Sequence, residues 1–286
     1  MKGKHSVSVL CEVLAVSRSG YYRSEKRRPT KRQRDDARLA EQIAAAHARS
    51  RKNYGAPRIV EELRDEGTPI SKRRCARLMK ARGLQGRKKQ RRRPRTTDSQ
   101  HAYAPAKNLL AEQPAPTGPN QAWMTDITYI KTGEGWLYLA AILDVWSRRV
   151  VGWACGPTLH VSLVLTTLSA ALRQRKPSKG LVHHSDRGVQ YACHDYATAL
   201  TTAGIISSMS RKGNCYDNAA MESFWSTLKT ETGLDAAVPI SRRAAELIVF
   251  DYIETFYNPT RRHSSLGYLS PVAFEKQTTK TDIKAA

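Results

Sequence analysis

Three acids in this sequence sit where carboxylates are either costly or well placed for chemistry. Asp126 lies between Thr125 and Ile127 in a β-prone run otherwise suited to burial, Asp186 ends a short apolar run in His184-Ser-Asp-Arg-Gly, and Glu222 lies in a helical segment. A charge inside a buried strand is unfavourable unless it is paired or binds a cation. Three carboxylates brought within a few ångströms would repel by roughly 4 kcal/mol per close pair at an effective dielectric near 20. Such a cluster is stable mainly with bound divalent cations. Two Mg²⁺ ions roughly 4 Å apart, with Mn²⁺ able to substitute, would activate a water or a 3′-hydroxyl and steady the leaving oxygen of a phosphodiester. Taken singly, each acid reads as a surface or capping residue; only their joint placement points to a reaction.

The elements that must bring them together follow from periodicity. Gln121 to Lys131, Trp136 to Ser147 and Val150 to Cys155 alternate with period two, separated by Gly133-Glu-Gly and an Arg148-Arg149 corner, which predicts a three-stranded antiparallel meander. A helix over about 161–174 follows, burying Leu163, Val164, Leu168 and Leu172; then a strand at 181–185, a helix at 194–203, a strand at 205–210 and a helix at 217–232. The order βββαβαβα predicts an α/β domain: a mixed five-stranded sheet flanked by helices. Asp126 then comes from a strand interior, Asp186 from the C-terminal end of a strand, where open sheets present ligand sites. Glu222 comes from a helix that Asp217 and Asn218 can cap one turn earlier.

The charge is unevenly spread. The chain of 286 residues has a net charge of +23; residues 1–98 hold 29 basic against 10 acidic residues, and the remainder 19 against 15. A basic excess of this size is matched to a polyanion, since each Lys or Arg set on a phosphate releases counterions. Within the basic third, Val7 to Leu14 starts a helix and Ser17 can cap a second. A better-marked pair follows: Pro57 suits a helix start, Ile59, Val60 and Leu63 share a face, Gly67 turns the chain, and Ser71 caps a helix ended by Gly83. That last helix has a core face of Cys75, Leu78 and Met79. Lys72, Arg73, Arg74, Arg77 and Lys80 cover the rest, as a helix lying on duplex DNA requires. A basic run over 85–95 and a series of prolines mark a linker at about 86–120.

Other classes are excluded. Five cysteines form no C-x-x-C pair, against both a disulfide framework and a thiolate zinc site. The most apolar stretch, 137–154, contains Asp144, Arg148 and Arg149, and no apolar run follows the first residues, so neither a membrane span nor a signal peptide is expected. The expected setting is cytoplasmic, bacterial and nucleoid-associated. His183 and His184 precede Asp186, yet Mg²⁺ prefers oxygen and no partner ligand has matching spacing, so structural roles are expected. Asn214, Asp217 and Asn218 read as loop and capping residues. Trp123, Trp136, Trp146 and Trp153 read as core, and Arg261, Arg262 and His263 either as a phosphate-contacting tail or as a surface turn.

The segments Trp123-Met-Thr-Asp126-Ile-Thr, His184-Ser-Asp186-Arg-Gly-Val-Gln-Tyr191 and Ser208 through Trp225 resemble the D, D, E signature of the retroviral-integrase superfamily, with 35 residues between Asp186 and Glu222. The chain is most similar to the OrfB-type transposases of the third insertion-sequence family, whose other marks are Tyr54-Gly-Ala-Pro-Arg58 and the tail Tyr257-Asn-Pro-Thr-Arg-Arg-His263 through Pro271. The resemblance covers nearly the whole chain. It implies a helix-turn-helix DNA-binding region at 1–85, a linker at 86–120, an RNase H-like integrase catalytic core at 121–235, and a C-terminal helix and basic tail at 236–286. It further implies that Asp126 bridges two metals, that Asp186 completes one site and Glu222 the other, and that Lys229, seven residues after Glu222 on the same helix face, touches terminal DNA. The implied reaction is cleavage and strand transfer of transposon ends by a 3′-hydroxyl attacking in line.

The implied partners are double-stranded DNA, both inverted-repeat ends and target, with a homo-oligomer assembled on it. The stretch Asn108-Leu-Leu-Ala-Glu-Gln-Pro lacks the Arg and Phe usual after this leucine pair. Members are commonly made as fusions with an upstream frame carrying a helix-turn-helix and a leucine zipper; this chain shows no sustained heptads, so such a partner or fusion is expected. Two other readings use the same residues: a catalytically silent DNA-binding regulator, and a ribonuclease H-type nuclease. Intact acids favour the transposase over the first, and the basic helices favour it over the second.

Overall fold

The computed structural model describes residues 6–25, 29–88, 106–211 and 218–285, with side chains as far as residue 278. Asn214, Asp217, Cys215 and most of the basic run at 85–95 lie outside these residues. Two compact units are present, Met1–Gly86 and Arg87–Ala286.

The first unit is all-helical: α1 (Val7–Val13), α2 (Arg18–Glu25), α3 (Lys31–Arg49), α4 (Ala56–Asp65) and α5 (Lys72–Ala81). Its core is made where α3 lays Leu39, Ala40, Ile43 and Ala46 against Ile59, Val60 and Leu63 of α4 and Cys75, Leu78 and Met79 of α5. The expected α4–α5 pair is present. Gly67 turns the chain at φ +74, a conformation that costs a residue with a Cβ, and the Ser71 hydroxyl accepts the Arg74 N–H at 3.3 Å. The longest helix, α3, is not among the expected elements. Its start is marked by Thr30-x-x-Gln33, which forms a reciprocal capping box with bonds of 3.2 and 2.7 Å.

The second unit begins, within the described residues, with a short helix α6 (Leu109–Glu112) and continues through β1 (Ala122–Thr132), β2 (Gly135–Asp144), β3 (Val150–Gly156), α7 (Val161–Arg175), β4 (Val182–Ser185), α8 (Val189–Ala192), α9 (His194–Thr202), β5 (Ile206–Met209), α10 (Ala219–Thr232), α11 (Arg242–Phe250) and α12 (Pro271–Ala285). The sheet order is β3-β2-β1-β4-β5, antiparallel across the first three strands and parallel across β1, β4 and β5. This is the expected mixed five-stranded sheet. On one face Trp123, Ala140, Ile142 and Val151 pack against Leu163, Val164, Leu168 and Ala171 of α7 and Tyr196 and Leu200 of α9. Gly152 permits that approach: a Cβ there would lie 2.6 Å from the Thr167 carbonyl oxygen.

The linker's end docks on the sheet without the missing Arg and Phe. The Ser208 hydroxyl of β5 accepts the Leu109 N–H at 3.0 Å, and the Met209 N–H donates to the Lys107 carbonyl at 3.3 Å. After α11 the helix continues in π-type turns through Tyr257, and the Asn258 amide then pairs with both backbone groups of Val150, at 3.0 and 2.9 Å, sealing part of the β3 edge. Glu275 of α12 accepts from Arg149, Arg175 and Ser147, tying that helix to α7 and the β2–β3 corner. The tryptophans divide. Trp123 is fully buried, whereas Trp136 is 49 % exposed near the tip of the β1–β2 hairpin, and Trp146 and Trp153 are half-buried.

Candidate active site

The parallel pairing of β1 with β4 runs in register through Ala122↔Val182, Trp123↔His183 and Met124↔His184. Asp126 and Asp186 each lie two residues past the last pair, so strand alternation puts both on one face, at neighbouring strands about 4.8 Å apart. Burial first, and then the charge of Asp186, push the Asp126 carboxyl up to about 7. Opposing this are hydrogen bonds to its ionised form from the Ile127 N–H at 2.8 Å, the Trp225 Nε1–H at 3.0 Å and the Asn218 side chain. Asp186 accepts the Gly188 N–H at 2.9 Å as the chain turns away from β4.

Helix α10 supplies the third acid. Glu222 is exposed, with Asn218 one turn before it and Trp225 one turn after it, and both of these reach Asp126. Helical spacing therefore puts Glu222 on the face of α10 that meets β1. Among the described residues no three His, Cys, Asp or Glu side chains are grouped closely enough to hold a metal ion. Asp126 and Asp186 meet; Glu222 does not join them. The donors that Asp126 and Asp186 bring are nonetheless oxygens, on two mutually repelling carboxylates. That chemistry fits a hard divalent cation. Asn218 differs from its expected capping role, since it stands at the N-cap of α10 without capping it and turns its side chain to Asp126. Lys229 is half-buried; burial lowers its pKa, while the charges of Asp126 and Asp235 act to raise it.

The far end of α10 is held by the C-terminal segment. Arg261 is 4 % exposed and donates to Glu231 twice, at 2.7 Å each, while the Tyr252 hydroxyl donates to the same carboxylate at 2.8 Å. This corrects both expectations for Arg261: it is neither a phosphate-contacting tail nor a surface turn, because Glu231 draws it beneath the helix. His263 lies against its guanidinium at 3.2 Å. The signal missed in the sequence was a basic residue followed by an apolar 266–272 segment that folds back.

The two histidines before Asp186 are engaged in the interior. His183 Nε2 lies 2.7 Å from the Tyr196 hydroxyl, and burial drives its pKa down to about 3. His184 bridges the Ser208 and Ser210 hydroxyls at 2.9 and 3.1 Å. In the helical unit the five basic residues of α5 separate into two groups. Arg74 and Arg77, the latter exposed, both bind Asp36 of α3, at 2.7 and 2.6 Å, and Lys72, Arg73 and Lys80 are exposed.

The family model described as "Integrase core domain" matches residues 116–215, a second of that description matches residues 203–271, and one described as "HTH-like domain" matches residues 33–93. The chain is 47 % identical over 269 residues to the insertion element IS600 uncharacterized 31 kDa protein of Shigella sonnei, covering 94 % of this chain and 98 % of that protein. It is 40 % identical over 278 residues to transposase InsF for insertion sequence IS3A of Escherichia coli K12, covering 96 % of each. Among solved structures, the HTLV-2 integrase catalytic core domain in complex with magnesium (dimeric form) is 15 % identical, with a TM-score of 0.43 and coverage of 56 % of this chain and 98 % of that one. With a helix-turn-helix-like unit ahead of an integrase-type core, and with relatives similar over almost their full lengths, the chain belongs to the transposases of the IS3 family.

Proposed function

We propose that Asp126, Asp186 and Glu222 are the catalytic acids of this polynucleotidyl transferase and that they hold two Mg²⁺ ions, or Mn²⁺ in their place. The observation that carries this reading is the meeting of two carboxylates, Asp126 and Asp186, on neighbouring strands, where burial first and then the charge of Asp186 lift the Asp126 carboxyl to about 7. Bound cations would supply Lewis-acid stabilisation of the attacking and leaving oxygens of a phosphodiester. Asp126 and Asp186 supply the fixed half of the site from neighbouring strands, and Glu222 supplies the half carried by α10. Lys229, on the same helix face, contacts the terminal DNA. The substrate is duplex DNA, first the inverted-repeat ends and then the target, and the reaction is cleavage followed by transfer of the 3′-hydroxyl end.

Lys72, Arg73 and Lys80 of α5 contribute the phosphate contacts of the helical unit, while Arg74 and Arg77 set the helix against α3. Two ends must be joined, so the chain acts as a homo-oligomer on DNA, with an upstream-frame helix-turn-helix partner or fusion assisting end recognition, in association with the bacterial nucleoid. The test is end cleavage and strand transfer on an inverted-repeat duplex in Mg²⁺ or Mn²⁺, with Asp126→Ala, Asp186→Ala and Glu222→Ala beside the unaltered protein. Loss of turnover with retained DNA binding in all three is expected; undiminished turnover in any of them removes that acid from the mechanism.

A further inference from the structure

The carboxylate of Asp126 is clamped from two elements. Its Oδ1 takes the Ile127 N–H of its own strand, and its Oδ2 takes the indole N–H of Trp225 from α10. Trp225 has no freedom to leave: it is 6 % exposed and its ring lies 4.8 Å from that of Phe224. Asn218 adds a bond to the same carboxylate from one turn before Glu222. Residues 218, 222, 225 and 229 recur at intervals of four, three and four, so the two groups that grip Asp126 bracket Glu222 on one helical stripe.

A carboxylate turns easily about its last torsion, because terminal sp³–sp² rotations have broad minima. Donors on both oxygens remove that freedom. We infer that Trp225 is a positioning residue, with Asn218 as its second hold, fixing the plane of the Asp126 carboxylate and setting the distance between β1 and the helix that carries Glu222. This rests on the proposed role of Asp126. Packing alone does not require a tryptophan here, since a phenylalanine would fill most of the same space; the indole N–H is what packing leaves unexplained. Hydrogen bonds of this outer kind are worth about 10–100-fold in metal affinity or activity where they orient a ligating side chain.

The experiment uses the full chain with Trp225→Phe, which keeps a ring and deletes the N–H, and with Asn218→Ala, which leaves the ring packing untouched. Mn²⁺ binding is followed by electron paramagnetic resonance without DNA, together with thermal unfolding, DNA affinity, and kcat and KM for end cleavage. For Trp225→Phe the expected result is about a tenfold weaker Mn²⁺ affinity and a kcat lowered about 10–100-fold, with the DNA Kd and KM unchanged. Asn218→Ala moves the same quantities in the same direction by less. Wild-type Mn²⁺ affinity and kcat in both variants would overturn the inference, as would weakened DNA binding with an unchanged Mn²⁺ titration. Should Trp225→Phe not fold, the Asn218→Ala titration decides by itself. Asp126→Ala separates the two levels: if it binds Mn²⁺ like the unaltered chain, the reading of the site fails; if it does not, while the positioning variants are normal, only the present inference fails.

Discussion

Arg261 and Glu231 form a bidentate ion pair almost wholly shielded from water, with side-chain exposures of 5 % and 8 %. Glu231 lies nine residues after Glu222 on α10, so the C-terminal motif reaches the helix that carries Glu222 from its opposite side. Two charges buried together are stable only with good geometry, and removing one strands the other.

Arg261→Ala is therefore expected to destabilise the protein by about 3–5 kcal/mol. In a unit of this size that corresponds to a Tm lower by roughly 10 °C. Thermal unfolding checks this. A change below about 1 kcal/mol, combined with a lower salt dependence of DNA binding, would return Arg261 to the role of a surface phosphate contact.

The helical unit is expected to dominate DNA affinity, and its salt dependence to distinguish two kinds of arginine and lysine. Lys72→Ala, Arg73→Ala and Lys80→Ala should each reduce the slope of log K against log salt by about 0.9, the value for one phosphate contact. Arg77→Ala should act mainly through loss of its bond to Asp36. Filter binding between 50 and 200 mM salt measures these slopes, and a 121–286 fragment that binds duplex as tightly as the whole chain would contradict the assignment.

Asp126 gives the metal-free protein an unusual dependence on pH. Its folded pKa, about 7, stands above the ordinary 3.8. Between those values the folded state keeps a proton that the unfolded chain has released, so stability falls as pH rises through this window and is level above it. Denaturant unfolding in EDTA at pH 5 and pH 8 should show the fall, and Asp126→Asn should abolish it. Added Mg²⁺ should reverse the loss at pH 8 by replacing the proton. Stability that rises with pH in the unaltered protein and in Asp126→Asn alike would show that other groups govern it.

The frame of the site could be read from local pattern because its strands alternate cleanly and its helices start with recognisable caps: Ser71, Pro57 and the Gly67 turn predicted α4 and α5, and the meander predicted β1 to β3. Helix α3 escaped because Lys31 to Arg38 is so densely charged that the stripe of Leu39, Ile43 and Ala46 is overlooked beside it. The relations that act over distance were not visible at all. Trp225 meets Asp126 across 99 residues and Arg261 meets Glu231 across 30, and no local period encodes either pairing. Asp126 and Asp186 could be matched in advance only through the signature, since the parallel register that aligns them exists only once α7 has carried the chain across the sheet.

The central claim is that Glu222 joins the two aspartates around a pair of divalent ions, and a crystal structure of the full chain with Mn²⁺ and an inverted-repeat end tests it directly through anomalous scattering. The account predicts two Mn²⁺ peaks, both contacted by Asp126, one also by Asp186 and the other by Glu222, at roughly 2.1 Å as expected for small hard divalent ions. Mn²⁺ bound elsewhere, or Glu222 still turned to solvent with the DNA end in place, would contradict it.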